Sequence, residues 1–476
     1  MPTKPDDLLD ADVSAGALGS RPVVLDVRDL RVHFALRGGF ADRLLGRSSG
    51  SVKAVDGVSF TLHKGEVLGL VGESGSGKTT TARALLGLAP ITGGSVVFDA
   101  GAEAGGRIEL THLRERQFRS LRQKIQLVFQ DPHASLNPAM DLATAVAHPL
   151  KIHKVTSDRA EIDRRVRDAF ERVGLSPADR YLRKFPADLS GGQKQRAVLA
   201  RSIMLNPALL VADEPVSMLD MSVRAKILEL MLDLKRDLEL TYVYVTHDLA
   251  TAKFFCDTIA IMYLGRIVEI GPAAQIYADP KHPYTRSLLA AIPEPDPRRS
   301  VTRNLPRGEV PDAARPPMGC SFHPRCSAAF EPCGWEARDV QALLEQRWTN
   351  ISEEQYETER TTVASPVELE VDGELGRRAL LPDAKSGLGA AAVLLDELKS
   401  ADPDEPFWRG VQSMQQRPDG VELLFRDPVD PGLLQHGPVQ VACHLHDPRF
   451  ATQAGTPPPA VEYRSGDDTT SLSNGA

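Results

Sequence analysis

Residues 72–79 read Gly-Glu-Ser-Gly-Ser-Gly-Lys-Thr, and no other segment limits so strongly what this chain can fold into. An apolar run, Val67–Val71, precedes it, and a helix-compatible run from Thr80 to Leu86 follows. Strand, Gly-rich turn and helix N-terminus in direct succession make a phosphate-binding loop; the glycines alone would make only a turn. Gly72, Ser74, Gly75, Gly77 and Thr80 line the expected cradle, with backbone N–H groups turned inward. The helix N-terminus adds partial positive charge. Lys78 is expected to neutralise the β- and γ-phosphates and the Thr79 hydroxyl to ligate Mg²⁺, so the implied ligand is a nucleoside triphosphate.

Further along, Ala208–Ala212 is apolar on both faces and ends in Asp213-Glu214-Pro215. That pattern suits a central strand of a parallel sheet with two carboxylates at its C-terminal end. Asp213 is placed to hold Mg²⁺, and Glu214 to accept a proton from an attacking water. Leu189-Ser190-Gly191-Gly192-Gln193 opens a helical pattern in which Ser190 is a good N-cap, which makes a second anion site without a lysine.

Taken in order, Gly72–Thr79, Gln130, Leu189–Gln193, Asp213-Glu214, Asp220 and His247 resemble the ABC ATPases over about residues 23–290. The resemblance implies an α/β, P-loop NTPase core with a helical subdomain. Two such domains would dimerise head to tail, sandwiching ATP between one P-loop and the other chain's Ser190–Gln193. It further implies that Gln130 senses Mg²⁺ and the membrane partner, Asp220 communicates across the dimer, His247 contacts the γ-phosphate and Phe34 stacks on adenine. Val52–Phe60, Phe129–Pro138 and Lys281-His282-Pro283-Tyr284-Thr285 look like the dipeptide/oligopeptide importer branch, as does the insertion Ala35–Ser51.

Cys320, Cys326, Cys333 and Cys443 lie beyond the ATPase core, and Cys256 lies within an apolar run of it. In a reducing compartment metal or redox use is favoured over disulfides. Members of that branch similar in this region carry a four-cysteine [4Fe–4S] cluster, so the resemblance makes that cluster the expectation; zinc and four free thiols stay open. His323, His444 and His446 are candidate substitute ligands, but read rather as surface groups or as groups that support the ligands from behind. Cys256 reads as a small core residue.

The 476 residues should form more than one domain. The expected organisation is a disordered 1–20, a nucleotide-binding domain over 21–290 with a helical subdomain at about 135–205, a small cysteine-containing extension over 291–450, and a disordered tail at 451–476. A linker falls at Glu294–Pro297. An acidic insert, 334–442, separates Cys333 from Cys443, with helical stretches near Val340–Arg347 and Ala390–Lys399. A net charge of −8 gives no general attraction to nucleic acid. No run reaches the length of a membrane span and no signal peptide is visible, so if the chain serves a transporter its membrane segments are expected on other chains.

Three classes of function are compatible with these features. The first is the ATPase of an importer at the cytoplasmic face of the membrane, working with two permease subunits, a second ABC ATPase or a copy of itself, and an extracytoplasmic substrate-binding protein. Small peptides lead as cargo, with nickel or another small solute as the alternative. The second is a non-transport ABC ATPase acting in DNA repair or on ribosomes, and the third an iron–sulfur regulator. The single P-loop, the acidic balance and the absence of heptads favour the first.

Overall fold

Every residue of β3 (Val67–Val71) is buried, as a strand covered on both faces must be. It lies inside an eight-stranded sheet whose strands run in the order Leu434–His436, Val439–Val441, Arg266–Pro272, Thr258–Tyr263, β3, Thr241–Thr246, Leu209–Asp213, Ile125–Val128. In the computed structural model, which describes residues 21–36, 51–101, 105–292, 306–371, 374–384 and 389–452, β3 pairs in parallel with β8 (Thr241–Thr246) and β9 (Thr258–Tyr263). β7 (Leu209–Asp213) pairs in parallel with β8 and with β6 (Ile125–Val128). The register sets Val71 beside Thr246, Asp213 beside Val245 and Val128 beside Ala212. The turns carrying Gly72, Gln130, Glu214 and His247 therefore leave the sheet along one edge, where ligands of open parallel sheets bind. The expectations for 1–20, for the linker at 294–297, for 37–50 of the insertion and for 453–476 of the tail lie outside the described residues.

A second, antiparallel sheet of order β2-β1-β4-β5 (Ser51–His63, Val23–Ala35, Gly93–Asp99, Arg107–Glu109) covers the other side of the P-loop helix Lys78–Leu85. Helices Leu142–Ile152, Arg159–Arg172 and Gly191–Ile203, in the region expected to be a helical subdomain, pack on one another, with Val146, Leu150, Phe170 and Val198 buried in a shared core. Helix Met221–Leu238 buries Ile227, Leu228, Leu230, Met231 and Leu234 along one stripe.

The extension is bound into this core. β10 (Arg266–Pro272) would leave an open edge, which β16 (Val439–Val441) covers by antiparallel pairing of Glu269 with Val441 and Ile270 with Gln440. β15 (Leu434–His436) adds to β16. Two strands of the central sheet thus come from the C-terminal end of 334–442, and one apolar core runs from Val67 and Tyr244 to Phe322, Trp335 and Val439. The insert makes its own antiparallel sheet, β11-β12-β14-β13 (Val367–Val371, Glu374–Pro382, Gly420–Phe425, Val411–Arg417), with helices Ala337–Trp348, Glu353–Thr362 and Ala390–Ala401 around it. The first and third of these helices match the helical stretches read from sequence.

Phe425 of β14 is fully buried, edge-on to Phe407 at 5.9 Å. Phe425→Ala should cost about 3–5 kcal/mol, mostly within the insert. Limited proteolysis should then cut 367–425 first while Lys78-dependent nucleotide binding persists. Simultaneous loss of both would show that the insert and the central sheet unfold together.

Candidate functional site

The P-loop closes on its own lysine. Lys78 is 5% exposed, and its Nζ donates to Gly72 O at 2.8 Å, Glu73 O at 2.7 Å and Ser76 Oγ at 3.2 Å. Burial lowers the Lys78 pKa, while Glu214, Asp213 and Glu73 pull it back up. The ammonium thus sits among oxygens that a phosphate oxygen can replace. Gly77 has φ +98°, and a Cβ there would lie 2.3 Å from Ala54 O. A Cβ at Gly72 would lie 2.2 Å from Met262 O. Only glycine fits at these two positions. Gly75, by contrast, faces open space. Ser74 is exposed, and Thr80 sits half-buried in the first turn of helix Lys78–Leu85.

Two carboxylates meet this loop from β7. Thr79 Oγ1 donates to Asp213 Oδ1 at 3.0 Å. Burial raises the Asp213 pKa, opposed by that hydrogen bond and reinforced by Glu214. Glu214 has φ +48°, a left-handed conformation that costs a non-glycine residue of order 1–3 kcal/mol. Its surroundings hold it there. Its N–H donates to Val245 O at 2.9 Å, Gln130 Nε2 donates to Oε2 at 3.0 Å, and His247 Nδ1 lies 2.9 Å from Oε1. The Glu214 side chain is 17% exposed and that of His247 58%, so the carboxylate sits at the floor and the imidazole at the mouth. Gln130, Glu214 and His247, from three different strand ends, therefore form one cluster.

Ser190 caps helix Gly191–Ile203, as expected. Its Oγ accepts from Gln193 N at 3.4 Å, and Gln193 Oε1 accepts from Ser190 N at 3.1 Å. Ser190 and Gly191 are exposed, Gly192 half-buried, and among the described residues no hydrogen bond joins 190–193 to the P-loop. Asp220 caps helix Met221–Leu238 through Val223 N at 3.0 Å, which holds its carboxyl below the usual range. Met218 and Met221 beside it are 61% and 84% exposed. Phe34, near the end of β1 opposite Val52, is 41% exposed and so belongs to the surface.

The cysteines are all free and buried. Pairing of β16 with β10, continued by Ala442 N–H to Val268 O at 2.8 Å, returns Cys443 to the other three. Burial pushes Cys320 up to about 11 and Cys326 up to about 12, and raises Cys333 and Cys443 well above the ordinary thiol value; neighbouring cysteines add to the last three. Among the described residues, however, no group of three or more His, Cys, Asp or Glu is arranged to hold a metal ion. The metal site expected from sequence is therefore a set of four gathered thiols without a preformed ligand geometry. His323 and His444 are also not surface groups, at 1% exposure each. His323 lies 2.9 Å from Cys320 O and 3.3 Å from Asp339 Oδ2. Cys256 packs under Gly69, where a Cβ would lie 2.7 Å from its Sγ.

Four residues outside the expected set belong to the site's walls. Ser76 and Glu73 bind Lys78 as above, and Glu73 in turn is held by Tyr284 and Arg325. The first two were legible in the motif itself; nothing local marks the last two as neighbours of the P-loop.

Comparisons with known proteins agree with this geometry. Residues 55–217 match the family described as ABC transporter, and residues 268–333 match the C-terminal region of oligopeptide/dipeptide transporters. The chain is 41% identical to the oligopeptide transport ATP-binding protein AppF of Bacillus subtilis over 66% of its own length and 92% of that protein. It is 41% identical to OppF of Escherichia coli over 66% and 91%, and 40% identical to OppF of Salmonella typhimurium over the same shares. A solved dimeric ATP-binding cassette bound to ADP and phosphate aligns over 52% of this chain and 98% of its own at 25% identity, with a TM-score of 0.45. A buried phosphate-loop lysine, a hydroxyl–carboxylate pair beside it and a Gln–Glu–His cluster above it accompany a relationship spanning nine tenths of these relatives: the chain is an ATPase that belongs to the ATP-binding proteins of the ABC transporters, in the oligopeptide/dipeptide branch.

Proposed function

We propose that this chain hydrolyses ATP to drive import of small peptides through separate membrane permease subunits. The observation that carries the reading is the Glu214 cluster: a residue whose backbone N–H is held by Val245 O and whose carboxylate meets Gln130 and His247, at the edge where the P-loop leaves the sheet. The peptide cargo is inferred from the relatives, which are named for oligopeptide transport. The partners are two permeases, a second ATPase or a copy of this chain, and a substrate-binding protein outside the membrane. A peripheral place on the cytoplasmic face follows from that assembly. Among the described residues no helix is long and apolar enough to cross a membrane.

Within the site, Lys78 and the backbone of 72–80 take the phosphates, and Phe34 presents an exposed ring to the base. Thr79 and Asp213 are hard oxygen donors 3.0 Å apart, suited to Mg²⁺, which would neutralise phosphate charge. Gln130 orients the Glu214 carboxylate, which accepts the proton of the attacking water; His247 at the mouth faces the γ-phosphate. Ser190, Gly191, Gly192 and Gln193 form an exposed helix N-terminus with no link to their own P-loop, so their anion is the ATP held by another chain. Asp220, with Met218 and Met221, would lie in that contact.

The cysteine quartet is read as the place of a four-iron, four-sulfur cluster on the strength of its donor set: four thiols of one kind, sequestered together, suited to soft metals. No step of ATP chemistry passes through it. An anaerobic preparation should contain about four irons per chain. Zinc in their place, or a metal-free and fully active complex, would remove the cluster from the account.

Glu214→Gln should retain ATP binding while turnover in the assembled complex falls by about 10²–10⁴-fold. Near-normal turnover would mean that another group takes the proton. Lys78→Ala should instead weaken binding itself. Ser190→Arg should leave ATP on the chain's own P-loop and impair hydrolysis at the P-loop of its neighbour; impaired binding to its own loop would contradict the two-chain site.

A further inference from the structure

Glu73, the second residue of the P-loop, is gripped by a part of the chain that does not belong to the nucleotide-binding fold. Arg325 Nη1 donates to Glu73 Oε2 at 2.9 Å and Nη2 to Oε1 at 3.4 Å, a forked ion pair across 252 positions of sequence. The Glu73 N–H donates to Tyr284 Oη at 2.9 Å. The Glu73 carbonyl accepts from Ser76 N at 3.2 Å and from Lys78 Nζ at 2.7 Å. The side chain and both backbone polar groups of Glu73 are thus engaged, two from outside the loop and one by the lysine that faces phosphate.

Both outer contacts are rigidly mounted. Arg325 is 9% exposed; its Nε donates to Arg307 O at 3.2 Å, and its guanidinium lies 5.9 Å from the ring centres of Tyr263 and Phe322. Tyr284 is fully buried, 4.8 Å from Tyr263 and 5.2 Å from Phe322 by ring centres. It stands in the first turn of helix Pro283–Ala290, whose start is fixed by His282 Nδ1 accepting Tyr284 N–H at 3.0 Å. The Glu269 carboxylate accepts the N–H groups of Lys281 and His282 at 2.8 and 2.9 Å. Phe322 and Arg325 lie in the short loop between Cys320 and Cys326. Whatever fixes the cysteine loop therefore also fixes the guanidinium.

We propose that Arg325 and Tyr284 are positioning residues for the ATP site: by holding Glu73 they fix its carbonyl, and through that carbonyl the ammonium of Lys78. The cysteine-bearing extension is then part of the phosphate cradle's support, and the His-Pro-Tyr-Thr segment has a stated task. This rests on the reading of 72–79 as the ATP cradle. The Arg325 guanidinium stays charged at any accessible pH.

The test measures ATP binding by the full chain and steady-state hydrolysis by the assembled complex. Arg325→Ala should weaken ATP binding by about tenfold and raise KM alike, with kcat changed less than about twofold, because ground-state and transition-state binding are lost together. Arg325→Lys should recover part of the loss, since a single ammonium replaces the fork. Tyr284→Phe keeps the ring and removes the acceptor, and should cost about threefold in binding. In a Glu73→Gln background Arg325→Ala should add less than about twofold, because the pair is already broken. Unchanged binding in Arg325→Ala, or effects that multiply in the double variant, would overturn the clamp. Should Arg325→Ala fail to fold, Glu73→Gln and Tyr284→Phe carry the same comparison, and normal binding in both would overturn it. Lys78→Ala separates the two readings: if that change leaves binding intact, the cradle assignment itself has failed.

Discussion

A buried ammonium has to be surrounded by acceptors, and the arrangement of this chain around Lys78 follows from that demand. With 5% of the residue exposed, the charge is carried by carbonyls of Gly72 and Glu73 and by the Ser76 hydroxyl, with Asp213 and Glu214 close enough to raise its proton affinity. The loop that supplies those carbonyls must turn sharply between a fully buried strand and a helix. This is why Gly72 and Gly77 press against the backbone of Met262 and Ala54 with no room for a side chain. The parallel register of β3, β8 and β7 then decides which other residues reach the same edge.

The chain's two anion-binding features are unequal. One has a lysine, a hydroxyl–carboxylate pair and a fixed carboxylate; the other is a capped helix N-terminus that stands exposed. A helix N-terminus alone attracts an anion weakly, by about 0.3–1 kcal/mol at a surface. In the proposed two-chain assembly a second chain's lysine-bearing loop would make it one wall of a closed site, from which water can be excluded and in which each interaction strengthens. The exposed Met218 and Met221 beside Asp220 fit a surface that is covered in the working complex.

How much of this could be read in advance depended on sequence distance. The helix that follows Gly72–Gly77 and the Ser190 cap are local patterns of spacing and cap chemistry, and both appear as expected. The convergence of Gln130, Glu214 and His247 was legible only through family resemblance, because parallel pairing between strands far apart in the chain leaves no local trace. The union of the extension with the central sheet was not legible. Val439–Val441 is a three-residue strand whose partner, β10, lies before the whole insert. The burial of His323 was not legible for a related reason: a histidine that meets a carbonyl and an aspartate looks the same in sequence as one in solvent. Arg325 carried no signal, since a single arginine near a cysteine says nothing about a glutamate 252 positions earlier.

The central claim is that a working ATP site needs residues of two chains. The direct test is the specific hydrolysis rate measured over a range of total ATPase concentration, with sedimentation under the same conditions and with the second ATPase present where there is one. The account predicts that the rate per chain falls as dilution yields single chains, in parallel with the fraction dissociated. A rate per chain that stays constant where sedimentation shows only monomers would contradict it.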